Sequence, residues 1–233
     1  MSIFKKYLKI TDLIIFVIVF IFFSTLQAKS LDKYNKAKNI AGYFSGIVLL
    51  NDSKYGESHK YLKTLEGLEK SHFTFASKYL YSLINSGNFN QAFNFSRKLE
   101  KEKQNSYESD LIIGIYFLKN SKFDLSKKYF SNAIKRNSRT ILDSYIVNTL
   151  FLWANLKDEK LEVSKLNLDK LDDRFENLKK IQRAFLNCFY ESPKTESSFK
   201  ELVLDEKTDF SRYNYFYAKY LTSIGEEKKA NKI

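Results

Sequence analysis

The chain has 233 residues, a formal net charge of +12 and 16% aromatic side chains, a length that suffices for one or two compact domains. Its lysines alternate with acidic residues, as in residues 98–103, and arginine is scarce. Proteins that bind nucleic acids usually concentrate lysine and arginine on one face or in runs, so the composition argues against a nucleic-acid partner.

Residues 1–28 have the pattern of an export signal. Three lysines precede an unbroken apolar run at residues 13–23, and Ala28 closes the short segment that follows. This order is typical of a secretory signal peptide, and the run is shorter than the roughly 20 residues of a membrane span. Cleavage is expected after Ala28, and Leu26 then stands three residues before the cut, where a small residue is preferred. An uncleaved inner-membrane anchor is therefore the alternative. Either way the basic flank stays inside, and the sequence predicts a periplasmic protein.

Residues 29–38 are predicted to form a polar, lysine-rich tether. After it, Tyr55, Phe89 and Phe123 stand 34 residues apart. The same step relates small and apolar residues downstream of each aromatic: Ser58, Ala92, Ser126, Leu65, Leu99 and Ala133. A fixed 34-residue period of this kind is typical of a helix–turn–helix repeat. Residues 39–140 are therefore predicted to contain three repeats, 39–72, 73–106 and 107–140.

The pattern resembles the tetratricopeptide repeat (TPR) superfamily. Gly46 and Gly114 match the glycine of its first helix, and Ala92, Phe130 and Ala133 match positions of its second helix. The chain departs from the family where serine twice replaces alanine and where the closing proline is absent. The resemblance implies an all-α fold, a right-handed superhelical solenoid of TPR-like helix–turn–helix repeats, similar to the N-terminal part of exported alphaproteobacterial TPR proteins.

Residues 141–233 are predicted to hold degenerate repeats of the same kind. Between residues 158 and 177 no small residue stands at the expected place, so the period slips. Gly225 and Ala230 restore the five-residue spacing of Gly87 and Ala92. The last repeat is expected to be incomplete. First helices are expected at residues 141–156, 181–190 and 213–224.

No residue pattern indicates catalysis. Cys188 is the single cysteine, and its apolar neighbours indicate a core thiol. The only histidines, His59 and His72, have no thiolate or carboxylate company at metal-ligand spacing. Phosphate-binding glycine loops and serine-nucleophile motifs are missing from the sequence. We therefore predict that the protein is not an enzyme and uses no cofactor, metal or small-molecule substrate.

The resemblance places a partner on the concave face, which first helices line in TPR proteins. The corresponding residues are apolar and aromatic, and they lack the lysine and asparagine that clamp a peptide carboxylate in some TPR domains. Such a groove suits an amphipathic helix or an extended apolar segment. In an alternative interpretation, Tyr43 and Ile47 cover the array's own N-terminal helix. The predicted groove residues are Tyr43, Ile47, Ser77, Tyr81, Ile84, Leu111, Ile115 and Leu118.

The predicted function is a non-enzymatic protein–protein interaction scaffold in the bacterial cell envelope, with another envelope protein as its partner. The alternative is an N-terminal helical docking module of a longer envelope enzyme or membrane complex. Membrane contact is expected only through an uncleaved N-terminus. Both interpretations are inferred from the predicted fold and the export signal, because no residue or motif in the sequence identifies the partner.

Overall fold

The computed structural model describes residues 36–136, 140–204 and 209–233, apart from the Phe73 side chain. The predicted signal peptide or anchor and most of the predicted tether lie outside the described residues. All regular secondary structure in the described part is helical, so the prediction of an all-α helical repeat fold is confirmed. None of the helices there is both long and apolar enough to cross a membrane.

Successive helices pair as antiparallel hairpins. The described α-helices are α1 (36–51), α2 (Tyr55–Lys63), α3 (Phe73–Asn85), α4 (Phe89–Lys101), α5 (Tyr107–Lys119), α6 (Phe123–Lys135), α7 (Ile141–Asn155), α8 (Leu161–Asp169), α9 (Glu176–Phe189), α10 (Thr195–Val203), α11 (Asn214–Ser223) and α12 (Glu227–Ala230). Short 3₁₀ turns cover Leu68–Lys70, Asp173–Phe175 and Ser211–Tyr213. Helix α2 ends at Lys63, and Gly67 in the following turn adopts a left-handed conformation with φ 110°.

The 34-residue period has a backbone cause. Helices α2, α4 and α6 begin at Tyr55, Phe89 and Phe123. The turn before each contains one left-handed residue, and these residues also recur every 34 positions: Ser53 (φ 60°), Gly87 (φ 77°) and Ser121 (φ 56°). In each turn the next N–H donates to a carbonyl five residues back, with N···O distances of 2.8 to 2.9 Å. This is a Schellman motif, which ends one helix and sets the entry angle of the next.

Ser121 occupies this left-handed position at an avoidable cost. A non-glycine residue pays about 1–2 kcal/mol for the left-handed region, more than the roughly 0.5–1 kcal/mol of chain entropy that glycine loses. We expect Ser121→Gly to raise the free energy of unfolding by roughly 0.5–1 kcal/mol, measured by urea denaturation. The reverse change at the equivalent position, Gly87→Ser, should lower it. If both substitutions changed the free energy of unfolding in the same direction, the left-handed φ at these two positions would not be what determines their preference for glycine.

Small residues allow the two helices of a hairpin to cross closely. The Ser58 hydroxyl donates to the Gly46 carbonyl over 2.7 Å, and the Ser126 hydroxyl donates to the Gly114 carbonyl over 2.9 Å. A Cβ atom on Gly114 would lie 2.5 Å from Cε1 of Phe130. The serines that depart from the family's alanine therefore add an inter-helix hydrogen bond while remaining small.

The chain divides within α4 into two compact units, Met1–Ala92 and Phe93–Ile233. The first packs a core of large apolar side chains and small residues: Leu62, Phe75, Tyr79, Leu80, Leu83 and Ala92. The hydroxyl of Tyr79 donates to Oε1 of Glu66 over 2.7 Å. Burial and this hydrogen bond raise the pKa of Tyr79 well above its usual value, so the phenol keeps its proton at neutral pH.

The described residues of the second unit include three apolar clusters. The first joins α6 to α7, the second joins α7 to α8 and α9, and the third joins α9 to α10 and α11. Their buried members are Phe130, Ala133, Val147 and Ala154 in the first, Leu152, Leu156, Leu168 and Leu186 in the second, and Ile181, Ala184, Phe199, Leu202, Phe210, Tyr217 and Leu221 in the third. Each cluster draws on helices that follow one another closely in sequence, as expected of a repeat array.

The hairpin α7–α8 departs from the period. Helix α8 begins at Leu161, 38 residues after α6 begins at Phe123. Its small residue is Ser164, which is fully buried. The 34-residue period placed the small residue at position 160, which is a lysine, four positions before Ser164. The period then resumes, since α10 begins 34 residues after α8 and the left-handed residues Glu191 and Gly225 are also 34 apart.

Candidate protein-binding surfaces

In the first unit, the predicted groove residue Tyr43 is held by its neighbours. Its ring centroid lies 4.8 Å from that of His72, and its hydroxyl lies 3.4 Å from Oγ1 of Thr74. Both Tyr43 and Ile47 are half-buried. These contacts fix the Tyr43 ring and leave only part of it available to a partner.

Tyr81 is the most accessible of the predicted groove residues in this unit, with 50% of its surface exposed. Its ring packs edge-on against Tyr55 with centroids 6.0 Å apart. A hydrogen bond with the Tyr55 hydroxyl raises the pKa of Tyr81. Ser77 and Ile84 are half-buried. The unit thus presents an aromatic pair beside two less accessible side chains.

In the second unit, the three predicted groove residues of α5 differ in environment. Ile115 is 42% exposed. Leu111 and Leu118 are partly buried against the cluster that contains Phe130. Leu111 therefore contributes to packing, whereas Ile115 and one side of Leu118 face outward.

Leu118 lines an apolar pocket that the sequence did not predict. The pocket has a volume of about 240 Å³ and is lined by Leu118, Phe123, Trp153, Leu156, Lys157 and Phe189. We refer to this set as the apolar pocket. Leu118, Trp153 and Phe189 lie at or near the C-terminal ends of the first helices α5, α7 and α9, and Phe123 begins α6. Successive repeats therefore each contribute a side chain to one site.

The geometry of the apolar pocket is well defined. The indole N–H of Trp153 donates to Oε1 of Gln182 over 2.7 Å, which fixes the ring. Phe189 meets Trp153 edge-on at 6.4 Å and remains 50% exposed. The ammonium of Lys157 lies 4.5 Å from the Phe123 ring centroid, in cation–π contact. The site therefore combines an apolar floor with a cationic rim.

The sequence analysis missed Trp153 and Phe189 because the predicted groove residues ended at Leu118. A signal was present, however. Leu118, Trp153 and Phe189 are separated by 35 and 36 residues, which is close to the repeat length. Following the period into the degenerate region would have predicted that large side chains from consecutive first helices lie near one another.

Several of the described titratable groups have pKa values shifted by their surroundings. Burial raises the pKa of the Cys188 thiol, which keeps it protonated and weakly nucleophilic. Burial and nearby Lys63 lower the pKa of His59, so the imidazole is neutral at pH 7. Burial, Asp143 and Glu108 raise the pKa of Tyr107 to about 12. Within the described ranges, no three histidine, cysteine or acidic residues are grouped so as to hold a metal ion.

Comparison with known proteins identifies the fold. No protein-family model matches the chain, and no curated protein matches it. It is similar to a chain in the crystal structure of the APC/C hetero-tetramer Cut9–Hcn1, with a TM-score of 0.54, 10% identity and coverage of 79% of this chain and 36% of that one. A second match is to Naa15/Naa10 bound to HypK-THB, with a TM-score of 0.32, 15% identity and coverage of 83% and 35%.

The chain thus spans about a third of the length of the solved chains it matches. The similarity to the Cut9–Hcn1 structure is one of fold, since sequence identity is low. Together with the 34-residue period, the repeated Schellman turns and the close crossing at Gly46 and Gly114, this similarity shows that the chain has an all-α, TPR-like helical-repeat fold.

Proposed function

We propose that this protein is a non-catalytic scaffold of the bacterial cell envelope that binds another protein. The TPR-like fold supports protein–protein interaction in general. The observation that carries the proposal is the apolar pocket, because it is a preformed, largely apolar site on the surface of a repeat array. The pattern of residues 1–28 supports an exported, periplasmic protein.

The size and rim of the apolar pocket indicate what it accepts. Its volume of about 240 Å³ suits one large apolar side chain. Burying such a side chain contributes about 1.5–3 kcal/mol, which makes the pocket a hot spot within a larger interface. Lys157 at the rim favours an acidic residue beside that anchor. Ile115, one turn before Leu118 on α5, offers further apolar contact.

The single tryptophan provides a direct test of this proposal. A photocrosslinking amino acid at position 189, expressed in the native host, should capture an envelope protein. Titrating the purified captured protein into this protein should then shift the fluorescence emission of Trp153, because the partner's anchoring side chain would displace water from the indole. We expect Phe189→Glu to weaken the dissociation constant at least tenfold.

The matched control is Phe89→Glu, which adds the same charge at a phenylalanine that is 61% exposed and lies outside the pocket. It should leave binding unchanged. Binding that is insensitive to Phe189→Glu, with no response from Trp153, would show that the apolar pocket is not the recognition site.

The envelope location has its own test. We expect the protein isolated from host periplasm to begin after Ala28, measured as intact mass. A full-length mass in the membrane fraction would instead support the uncleaved anchor facing the periplasm. Recovery of the intact chain from the cytosol alone would contradict export.

A further inference from the structure

One face of α7 lacks the cover that first helices have elsewhere. Gly46, Leu80, Gly114 and Asn148 follow one another at 34-residue intervals. The first three are buried, and the two glycines lie where the second helix of their hairpin packs closely. Asn148 is only half-buried. The position at which hairpins usually close is therefore accessible in α7.

Helix α8 begins four residues later than the 34-residue period predicts, and its contacts differ accordingly. The hydroxyls of Ser58 and Ser126 bond to a first-helix carbonyl, but the equivalent Ser164 hydroxyl lies 3.0 Å from the Tyr190 hydroxyl of α9. The Tyr190 oxygen also lies 3.0 Å from the carbonyl oxygens of Leu156 and Glu159. Tyr190 thus ties the α7–α8 turn to α9 and holds α8 away from the N-terminal half of α7.

Asn148 is incompatible with a crossing as close as that of α5 and α6, although α3 holds a buried leucine, Leu80, at the equivalent position. At the equivalent Gly114, even a Cβ atom would lie 2.5 Å from the Phe130 ring. A carboxamide at that place would need several ångströms of additional space. Sequence and register therefore agree in opening the hairpin.

The opening is a cleft of about 920 Å³ along α7, and we refer to it as the α7–α8 cleft. One wall comes from α7, and the other from α8 and the turn that follows it. The residues that matter for recognition are Ser144, Asn148, Phe151, Asn155, Asn167 and Leu171. Amide and hydroxyl groups alternate with apolar side chains, so the lining can serve both polar and apolar groups.

The carboxamides of α7 are held in place and keep an open acceptor. Nδ2 of Asn148 donates to the Ser144 carbonyl over 2.8 Å, and Nδ2 of Asn155 donates to the Phe151 carbonyl over 2.7 Å. Since a carbonyl needs a donor, these bonds also fix which amide atom is nitrogen. Among the described residues, neither carboxamide oxygen accepts a hydrogen bond. Acceptors held at fixed spacing suit the N–H groups of a peptide backbone.

The length of the cleft matches a short extended segment. Its lining runs along α7 from Ile141 to Asn155, which at 1.5 Å per residue is about 21 Å. An extended chain rises about 3.3 Å per residue, so about six residues fit. Glu159 and Lys170 line the cleft with opposite charges, which does not favour a polyanion such as a nucleic acid.

We propose that the α7–α8 cleft binds an extended peptide segment of about six residues from the protein partner, through that segment's backbone. This inference rests on the proposed scaffold function and adds a second surface to it. The Asn148 and Asn155 oxygens accept backbone N–H groups, and Phe151 and Leu171 receive the side chains on one side of the segment. Recognition is through the main chain, so the sequence requirement is loose.

The test uses phage-displayed random heptapeptides selected on the full-length wild-type protein. The best peptide, fluorescently labelled, is titrated by anisotropy against wild type and against the Asn148→Leu/Asn155→Leu variant. We expect the double substitution to weaken binding at least tenfold. The milder Asn148→Ala/Asn155→Ala pair should weaken it as well, which covers the case in which leucine disturbs the fold. N-methylation of alternate backbone nitrogens of the peptide should also abolish binding.

The chain offers a matched control in Asn85→Leu/Asn120→Leu. These two asparagines also donate to a carbonyl four residues back, Tyr81 over 2.9 Å and Tyr116 over 2.7 Å, but they lie outside the cleft. The control should bind as wild type does. The proposal is overturned if no peptide is enriched. It is also overturned if the enriched peptides bind the Asn148→Leu/Asn155→Leu variant as tightly as they bind the control variant and the wild type.

The two proposals fail in distinguishable ways. If Phe189→Glu abolishes peptide or partner binding and the cleft variants do not, the cleft proposal is wrong and the scaffold proposal stands. If the cleft variants no longer bind the peptides while Phe189→Glu leaves binding of the captured partner unchanged, the apolar pocket is not the recognition site. Peptide binding in the α7–α8 cleft is then supported.

Discussion

Replacing Gly114 by valine is expected to lower the free energy of unfolding by roughly 2–3 kcal/mol, the upper range for an overpacked site. The new Cβ atom would meet Cε1 and Cδ1 of Phe130 at 2.5 and 2.6 Å. Phe130 is fully buried and cannot swing away, because Ala133 and Val147 pack around it in the same cluster. Urea denaturation with the m-value as a check measures the change.

A glycine with free space provides the control for this prediction. A Cβ on Gly56, in the first turn of α2, would meet no heavy atom within 4 Å. Gly56→Ala should therefore stabilise the protein by about 0.5 kcal/mol through backbone entropy. If Gly114→Val lowers the free energy of unfolding no more than Gly56→Ala does, the close crossing of α5 and α6 at Gly114 is contradicted.

Removing the Arg136 guanidinium is expected to cost about 3 kcal/mol, because it leaves a buried carboxylate without its ionic partner. The side chain of Asp110 is completely buried. Nε of Arg136 donates to its Oδ2 over 2.5 Å, and Nδ2 of Asn105 donates to its Oδ1 over 3.2 Å. Arg136 is 40% exposed, so water offsets part of the loss and places the effect at the lower end of the range for buried pairs.

The variant for this test is Arg136→Met, which keeps the aliphatic stem and removes the charge. Adding Asp110→Asn removes the isolated charge as well, and the double variant should recover part of the stability lost in Arg136→Met. A double-mutant cycle then gives the coupling between the two side chains. A coupling near zero would show that Asp110 is satisfied without the guanidinium.

Helix α7 gives the second unit its two candidate binding surfaces. Trp153 and Leu156 face the apolar pocket, whereas Asn148, Phe151 and Asn155 face the α7–α8 cleft. A partner that inserts a side chain into one and lays an extended segment in the other gains affinity by linkage, without further contacts. Each surface taken alone is expected to bind weakly.

Local sequence determined the repeat because local contacts build it. Tyr55, Phe89 and Phe123 start the second helices, and the 34-residue step also positions the left-handed turn residues. Gly46 and Gly114 were recognisable as crossing positions, and a Cβ atom on either would lie under 3 Å from a side chain of the second helix. Hairpins are made of neighbours in sequence, so a fixed period specifies fold class and helix order with little contribution from distant residues.

The tertiary structure alone decided which of these side chains are available for binding. Leu111 was predicted for the groove but is partly buried, since its exposure depends on how α6 and α7 cross it. Trp153 and Phe189 form a pocket because α7 and α9 bring together residues 36 positions apart. The cleft at Asn148 lies where α8 begins four residues later than the period predicts and where Tyr190 bonds to the α7–α8 turn. Such distances depend on the crossing of separate helices, and a one-turn shift changes them while leaving the periodic pattern nearly unchanged.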